Sequence, residues 1–158
     1  MTPCSLPTAT LPPDPVEENR DTYKVLSVSS IERSESRPDY LVDDDIGTFW
    51  HSKWSGSNVP RHPHTVTIDT LKMRKIKGIS ILPRQDGNNN GRVKDFLLET
   101  SKDGKSWTEA LRGTLRDTHN EQTVKCDTPI EGRYIRFTSL NAHRNQPWAC
   151  IAELRVIE

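Results

Sequence analysis

The chain has 158 residues, 22 Lys+Arg balanced by 22 Asp+Glu, a pI near 7.0 and a mean hydropathy of −0.74. That balance argues against nucleic-acid binding and against a polybasic membrane anchor, since both draw affinity from a basic excess. Its 32% hydrophobic residues and four Trp suffice for one folded domain, and no apolar run approaches the roughly 20 residues that span a bilayer.

Residues 1–22 carry Pro3, Pro7, Pro12, Pro13 and Pro15 among Ser, Thr and acids. This is the composition of an extended linker that holds two domains apart. Met1 is followed by this proline-rich run, so the chain reads as a piece cut from a longer protein, which would explain why no charged-then-apolar export signal opens it. The folded unit is expected over 23–158. Residues 23–28 are β-prone, and 39–46 suit a helical turn after Pro38. Residues 64–69 alternate, with Val66 and Ile68 on one face. Residues 76–83 and 94–101 follow as strands, and Asp103-Gly104 is a hairpin signal returning through 106–111. Residues 122–127, 133–140 and 151–157 complete the set. With no sustained helical period and no internal repeat, the pattern predicts an all-β antiparallel sandwich. Three cysteines and no Cys-x-x-Cys give no disulfide framework. Cys126 and Cys150 read as small buried thiols, with a bridge between them left open.

Catalytic signatures are missing: His62-Pro63-His64 is not His-Glu-x-x-His, and Ser55-Gly56-Ser57 is no nucleophile elbow. Residues 43–54, reading Asp-Asp-Asp-Ile-Gly-Thr-Phe-Trp-His-Ser-Lys-Trp, concentrate the chemistry. Acid and hydroxyl oxygens suit a hard cation, but Thr48 and Trp54 stand where an EF-hand needs Gly and Glu. A solvated acidic turn is the plainer reading of that cluster. His51 and Trp54, three apart, suit a small polar ligand with one apolar face. Adjacent Phe49 and Trp50 point opposite ways in an extended chain, so one of them is core. Residues 82–92 cross an Asn/Gly turn that offers Arg84 and Asn90, donors and acceptors fit for sugar hydroxyls, although part of that run merely satisfies turn dihedrals. Trp148, on a loop before the last strand, either stacks on a ligand or plugs the end of the sandwich. Trp107, after the hairpin turn, reads as core or hairpin packing.

Five blocks occur in a familiar order: Thr48-Phe-Trp-His-Ser with Trp54, Leu-Pro-Arg-Gln-Asp-Gly-Asn-Asn-Asn-Gly from Leu82, Ser-x-Asp-Gly-x-x-Trp at 101–107, Arg-Tyr-Ile-Arg at 133–136 and Pro-Trp-Ala-x-Ile-Ala-Glu at 147–153. Over 23–158 the chain resembles coagulation factor V/VIII type C (discoidin-like) domains, and especially family 32 carbohydrate-binding modules. The resemblance implies a discoidin-like jelly-roll β-sandwich of about eight main strands. It implies a structural Ca²⁺ held by the side chains of Asp43, Thr48 and Glu153 and the carbonyls of Tyr40, Asp45, Thr48 and Ala152. It also implies a shallow galactose-type sugar site of His51, Trp54, Arg84, Asn90 and Trp148. Some members add an acid from the first loop, where Glu32 and Glu35 both stand near the place. The expectation is a monomeric, non-catalytic module joined to a glycoside hydrolase exported to the cell exterior, cell surface or periplasm. A discoidin-type binder of phospholipid or protein is the alternative.

Overall fold

The computed structural model describes residues 22–158. The proline-rich stretch read as a linker lies outside them, apart from Thr22. Eight strands are present among the described residues: β1 (Lys24–Val28), β2 (Trp50–His51), β3 (His64–Leu82), β4 (Asp95–Ser101), β5 (Thr108–Thr114), β6 (Gln122–Ser139), β7 (Cys150–Ile151) and β8 (Glu153–Ile157). Short 3₁₀ turns fill Pro38–Val42 and His143–Asn145. All strand pairings are antiparallel. The main sheet runs β1-β3-β6-β4-β5 with β8 also on β3, and β2 pairs with β7 alone.

Residues 64–69 and 76–83, read as two strands, are one strand, β3. Its register with β6 breaks between Asp69 and Arg74, and Leu71 there takes a φ of 78°. Residues 122–127 and 133–140 likewise merge into β6. Each long strand therefore serves two layers. The first half of β3 pairs with β1 and the end of β6, while its second half pairs with β8 and the start of β6. The last run instead divides at Ala152, whose N–H leaves the β2 side to bond the Leu82 carbonyl at 2.8 Å.

Alternation supplies the core. Val66, Ile68, Ile79, Ile81, Leu98, Ile135 and Leu154 are buried, and the Phe96 and Phe137 rings stack 5.2 Å apart. Of the adjacent aromatics, Trp50 enters the core and donates its indole N–H to the Ser30 carbonyl, while Phe49 stays half-buried. Trp107 packs as hairpin: the Arg136 guanidinium lies 4.3 Å over its ring while bonding both oxygens of Glu99. Cys126 and Cys150 are free thiols, so the bridge left open does not form.

Gly78 sits where the β3–β6 register shifts, and a Cβ there would stand 2.9 Å from the Lys125 Cα. Backbone on the far side cannot step away as a flexible side chain would. Gly78→Ala should cost about 1–3 kcal/mol, seen in urea unfolding as a lower midpoint with an unchanged slope.

Candidate functional site

Three stretches far apart in sequence meet at one end of the sandwich. The β2–β7 pairing sets Trp50 opposite Ile151 and His51 opposite Cys150. Just beyond it, the Ser52 N–H donates to the Ala149 carbonyl at 2.9 Å and the Ala149 N–H to Ser52 Oγ at 3.0 Å. The Cys150 N–H donates to the Gly91 carbonyl at 2.8 Å. Gly91 has a φ of 78°, and a Cβ on it would lie 2.9 Å from the Cys150 Cβ, so only glycine lets the strands approach. The result is a cleft of about 220 Å³ that brings together His51, Trp54, Arg84, Asn90 and Trp148. Glu35 and Asn88 complete its wall.

Each of these side chains is held. The His51 ring is buried, and its Nδ1 lies 2.7 Å from the Ser52 carbonyl, which can only accept. Nδ1 therefore carries the proton and Nε2 the lone pair. Burial pushes the imidazole pKa below its ordinary value, so the ring is neutral. Arg84 donates through Nε to Asp86 Oδ1 at 2.8 Å, stands 3.6 Å from Glu35 Oε1 and lies 4.3 Å over the Phe49 ring. Trp54 is 43% exposed, and its indole N–H donates to Glu35 Oε2 at 2.6 Å.

The two first-loop acids separate by role. Glu35 lies on the wall. Glu32, 4% exposed, lies behind it and accepts from the Trp54 and Ser55 N–H groups and from the Ser34 and Ser55 hydroxyls. The Trp54 N–H leads in holding the Glu32 carboxyl down to about 2. Trp148 is placed by its backbone: its carbonyl accepts from His62 Nε2 at 3.1 Å, and the Pro147 carbonyl from His64 Nε2 at 2.6 Å. Asn88 was hidden in a run that reads as turn. Glu35 carried a signal only as one of two acids at the right distance along the chain.

Guanidinium and amide donors, an imidazole lone pair, a carboxylate and indole surface together suit a polyhydroxylated ligand with one apolar face. Two larger grooves exist, about 490 Å³ beside Asp95 and Arg112 and about 560 Å³ beside Thr100 and Glu131. Both lack a Trp or His wall, so size does not decide the matter and chemistry favours the smaller cleft.

The acidic loop forms a second, adjoining arrangement. Thr48 Oγ1 donates to Asp43 Oδ2 at 2.6 Å and stands 3.1 Å from the Asp45 carbonyl. The Gly47 N–H donates to Asp45 Oδ1 at 2.8 Å. Glu153, from the far end of the chain, is 7% exposed; its Oε2 accepts from the Asp44 N–H at 3.1 Å, and its buried Oε1 has no hydrogen-bond partner. Burial first, and the neighbouring Asp43 carboxyl second, push the Glu153 carboxyl up to about 8. Among the described residues no trio of His, Cys, Asp or Glu side chains gathers. Instead, two carboxylates meet a hydroxyl and a carbonyl, an oxygen set that suits Ca²⁺ better than a transition metal. Tyr40 lies in the 3₁₀ turn that packs on β8, and Ala152 directly precedes Glu153.

A β-sandwich with its ligand cleft in loops at one end defines the class: a discoidin-like binding module. The match to the F5/8 type C domain over residues 25–154 makes the chain a member of that family. It is 32% identical over 117 residues to galactose oxidase from Gibberella zeae, covering 74% of this chain and 17% of that protein. It is 28% identical over 124 residues to a sialidase from Micromonospora viridifaciens, covering 78% and 19%. The chain thus spans under a fifth of the length of these curated relatives. Among solved structures, a family 32 carbohydrate-binding module from C. perfringens in complex with galactose aligns with a TM-score of 0.75 at 31% identity, over 87% of this chain and 94% of that one. A second Clostridium perfringens module, in complex with GalNAc-β-1,3-galactose, shares the fold at a TM-score of 0.77 and 23% identity, over 87% and 96%.

Glu32 yields a pH prediction. Its folded pKa is depressed, so its contribution to stability is present above the unfolded value of 4.5 and is lost as pH falls through about 2. The melting-temperature gap between wild type and Glu32→Gln should be full at pH 7, shrink below about 4.5 and close near pH 2.

Proposed function

We propose that the domain is a non-catalytic carbohydrate-binding module for a terminal galactose or N-acetylgalactosamine-type sugar. The observation that carries this reading is the convergence of His51, Trp54, Arg84, Asn90 and Trp148 on one cleft, each held by a backbone or side-chain partner. The likeness to a module solved with galactose supports it. Arg84 and Asn90 donate to sugar oxygens, and His51 Nε2 accepts from a hydroxyl. Trp54 or Trp148 lies against the C–H face. Glu35 is the one acid lining the cleft, and it already accepts from Trp54. Glycoside hydrolysis employs a pair of carboxylates across the bond, so the wall supports binding rather than cleavage. The same carboxylate repels an anionic lipid headgroup, which weighs against the phospholipid alternative.

A Ca²⁺ held by Asp43, Thr48 and Glu153 with the carbonyls of Tyr40, Asp45, Thr48 and Ala152 belongs to the same reading. It would add positive charge at buried Glu153, whose Oε1 has Arg155 Nε only at 3.7 Å, and at the neighbouring Asp43. In doing so it would tie the loop before β2 to the start of β8. The cleft lies within one copy, so binding needs no second copy. The galactose oxidase and sialidase relatives support a place beside a catalytic domain, which we take to be a glycoside hydrolase of the cell exterior, surface or periplasm. Among the described residues no helix is long and apolar enough to cross a membrane.

Galactose titrated into the protein by calorimetry should bind with a millimolar constant, about −4 kcal/mol, and Arg84→Ala should abolish the heat while the melting temperature barely moves. Retained binding in that variant, or capture by anionic vesicles in place of galactose, would sink the assignment. Affinity should also fall as pH drops below the ordinary imidazole value, because protonation turns the His51 acceptor into a donor; a flat profile from pH 7 to 4.5 would exclude that role. Chelation of metal-loaded protein should lower the melting temperature and weaken galactose binding together.

A further inference from the structure

An amide on a cleft wall can present either its carbonyl or its NH₂, and the ligand meets whichever half is left over. Asn90 is such a group, and its orientation is set from behind. The Gly91 N–H donates to Gln146 Oε1 at 2.8 Å. A backbone N–H cannot be reversed, so the Gln146 carbonyl must face it and the Gln146 NH₂ must point away. That NH₂ donates to Asn90 Oδ1 at 2.9 Å. That bond turns the Asn90 carbonyl toward Gln146, so the NH₂ is the half of the amide left to face the cleft. Gly91 itself is pinned, because its carbonyl accepts from the Cys150 N–H and the Cys150 Cβ leaves no room for a Cβ of its own. Gln146 does not line the cleft.

We propose that Gln146 is a specificity-determining positioning residue, which fixes Asn90 as a hydrogen-bond donor and so makes the cleft select a ligand oxygen that accepts there. This rests on the sugar-binding reading of the cleft. Gln146→Glu keeps the shape and still accepts from the Gly91 N–H, but it has nothing to donate. The carboxylate then faces Asn90, the Asn90 amide turns over to donate to it, and the cleft meets a carbonyl instead.

The experiment uses galactose and two analogue series in which each hydroxyl in turn becomes hydrogen or fluorine. Fluorine accepts weakly and never donates. In wild type one position should bind the fluoro sugar several-fold better than the deoxy sugar, and Asn90→Ala should erase that preference. In Gln146→Glu, galactose should bind at least tenfold more weakly with little change in melting temperature, and at that position the fluoro sugar should do no better than the deoxy sugar. An unchanged pattern in Gln146→Glu overturns the proposal. Failure of wild type to bind galactose overturns the reading beneath it, and a ligand-free measurement still decides the relay. Side-chain amide exchange by NMR should find the Gln146 NH₂ protected and the Asn90 NH₂ fast in wild type, with the Asn90 NH₂ protected in Gln146→Glu. A protected Asn90 NH₂ in wild type refutes the relay whether or not sugar binds.

Discussion

The site depends on one knot of hydrogen bonds: the Ser52 N–H to the Ala149 carbonyl, the Ala149 N–H back to Ser52 Oγ, and the Cys150 N–H to the Gly91 carbonyl. Two-residue strands such as β2 and β7 hold little stability of their own. Here they sit over buried Trp50 and Ile151, so the pairing is enclosed and its polar groups have no water to exchange with. Each bond joins stretches far apart in the chain. The entropy of closing those long loops is met by the core beneath, and the cleft inherits a rigidity that three free loops would not have.

That rigidity has a polarity. His51 is oriented by the Ser52 carbonyl, Trp54 by the Glu32 carboxylate and Arg84 by Asp86. Behind the visible wall stands a second layer of groups whose hydrogen-bonding sense cannot change: carbonyls, backbone N–H groups and a carboxylate held far below its usual pKa. A flexible amide or imidazole becomes a defined donor or acceptor only because such a partner is already committed.

This layering explains what could be read from the residues alone. Alternation at Val66 and Ile68, and again at Ile79 and Ile81, reveals the two faces of β3, because period two is a local property. That the two segments form one bent strand is not local: it depends on the register of β6 opposite them. Five of the seven residues that line the cleft stand out through block order and resemblance. Glu32 and Glu35 cannot be told apart by type or spacing, since what distinguishes them is whether the carboxylate points behind Trp54 or into the cleft. Gln146 leaves no mark at all, because its part lies in which end of an amide faces Gly91.

The acidic loop and the cleft share residues 43–54, yet they differ physically. At the acidic loop, buried Glu153 stands beside the Asp43 carboxyl with Arg155 Nε 3.7 Å from its Oε1, so its part is electrostatic. The cleft is already satisfied and small, and its open wall removes little ligand surface from water. Such a site can discriminate sharply, since a misplaced hydroxyl leaves a fixed donor or acceptor unpaired, while its affinity stays low for want of buried area. For the targeting module proposed above, strength would come from attachment. A weak module tethered to another domain returns to its glycan at an effective concentration set by the linker. Preorganised polarity with modest affinity therefore suits a targeting module better than a deeper pocket would, because its partner must also let go and move on.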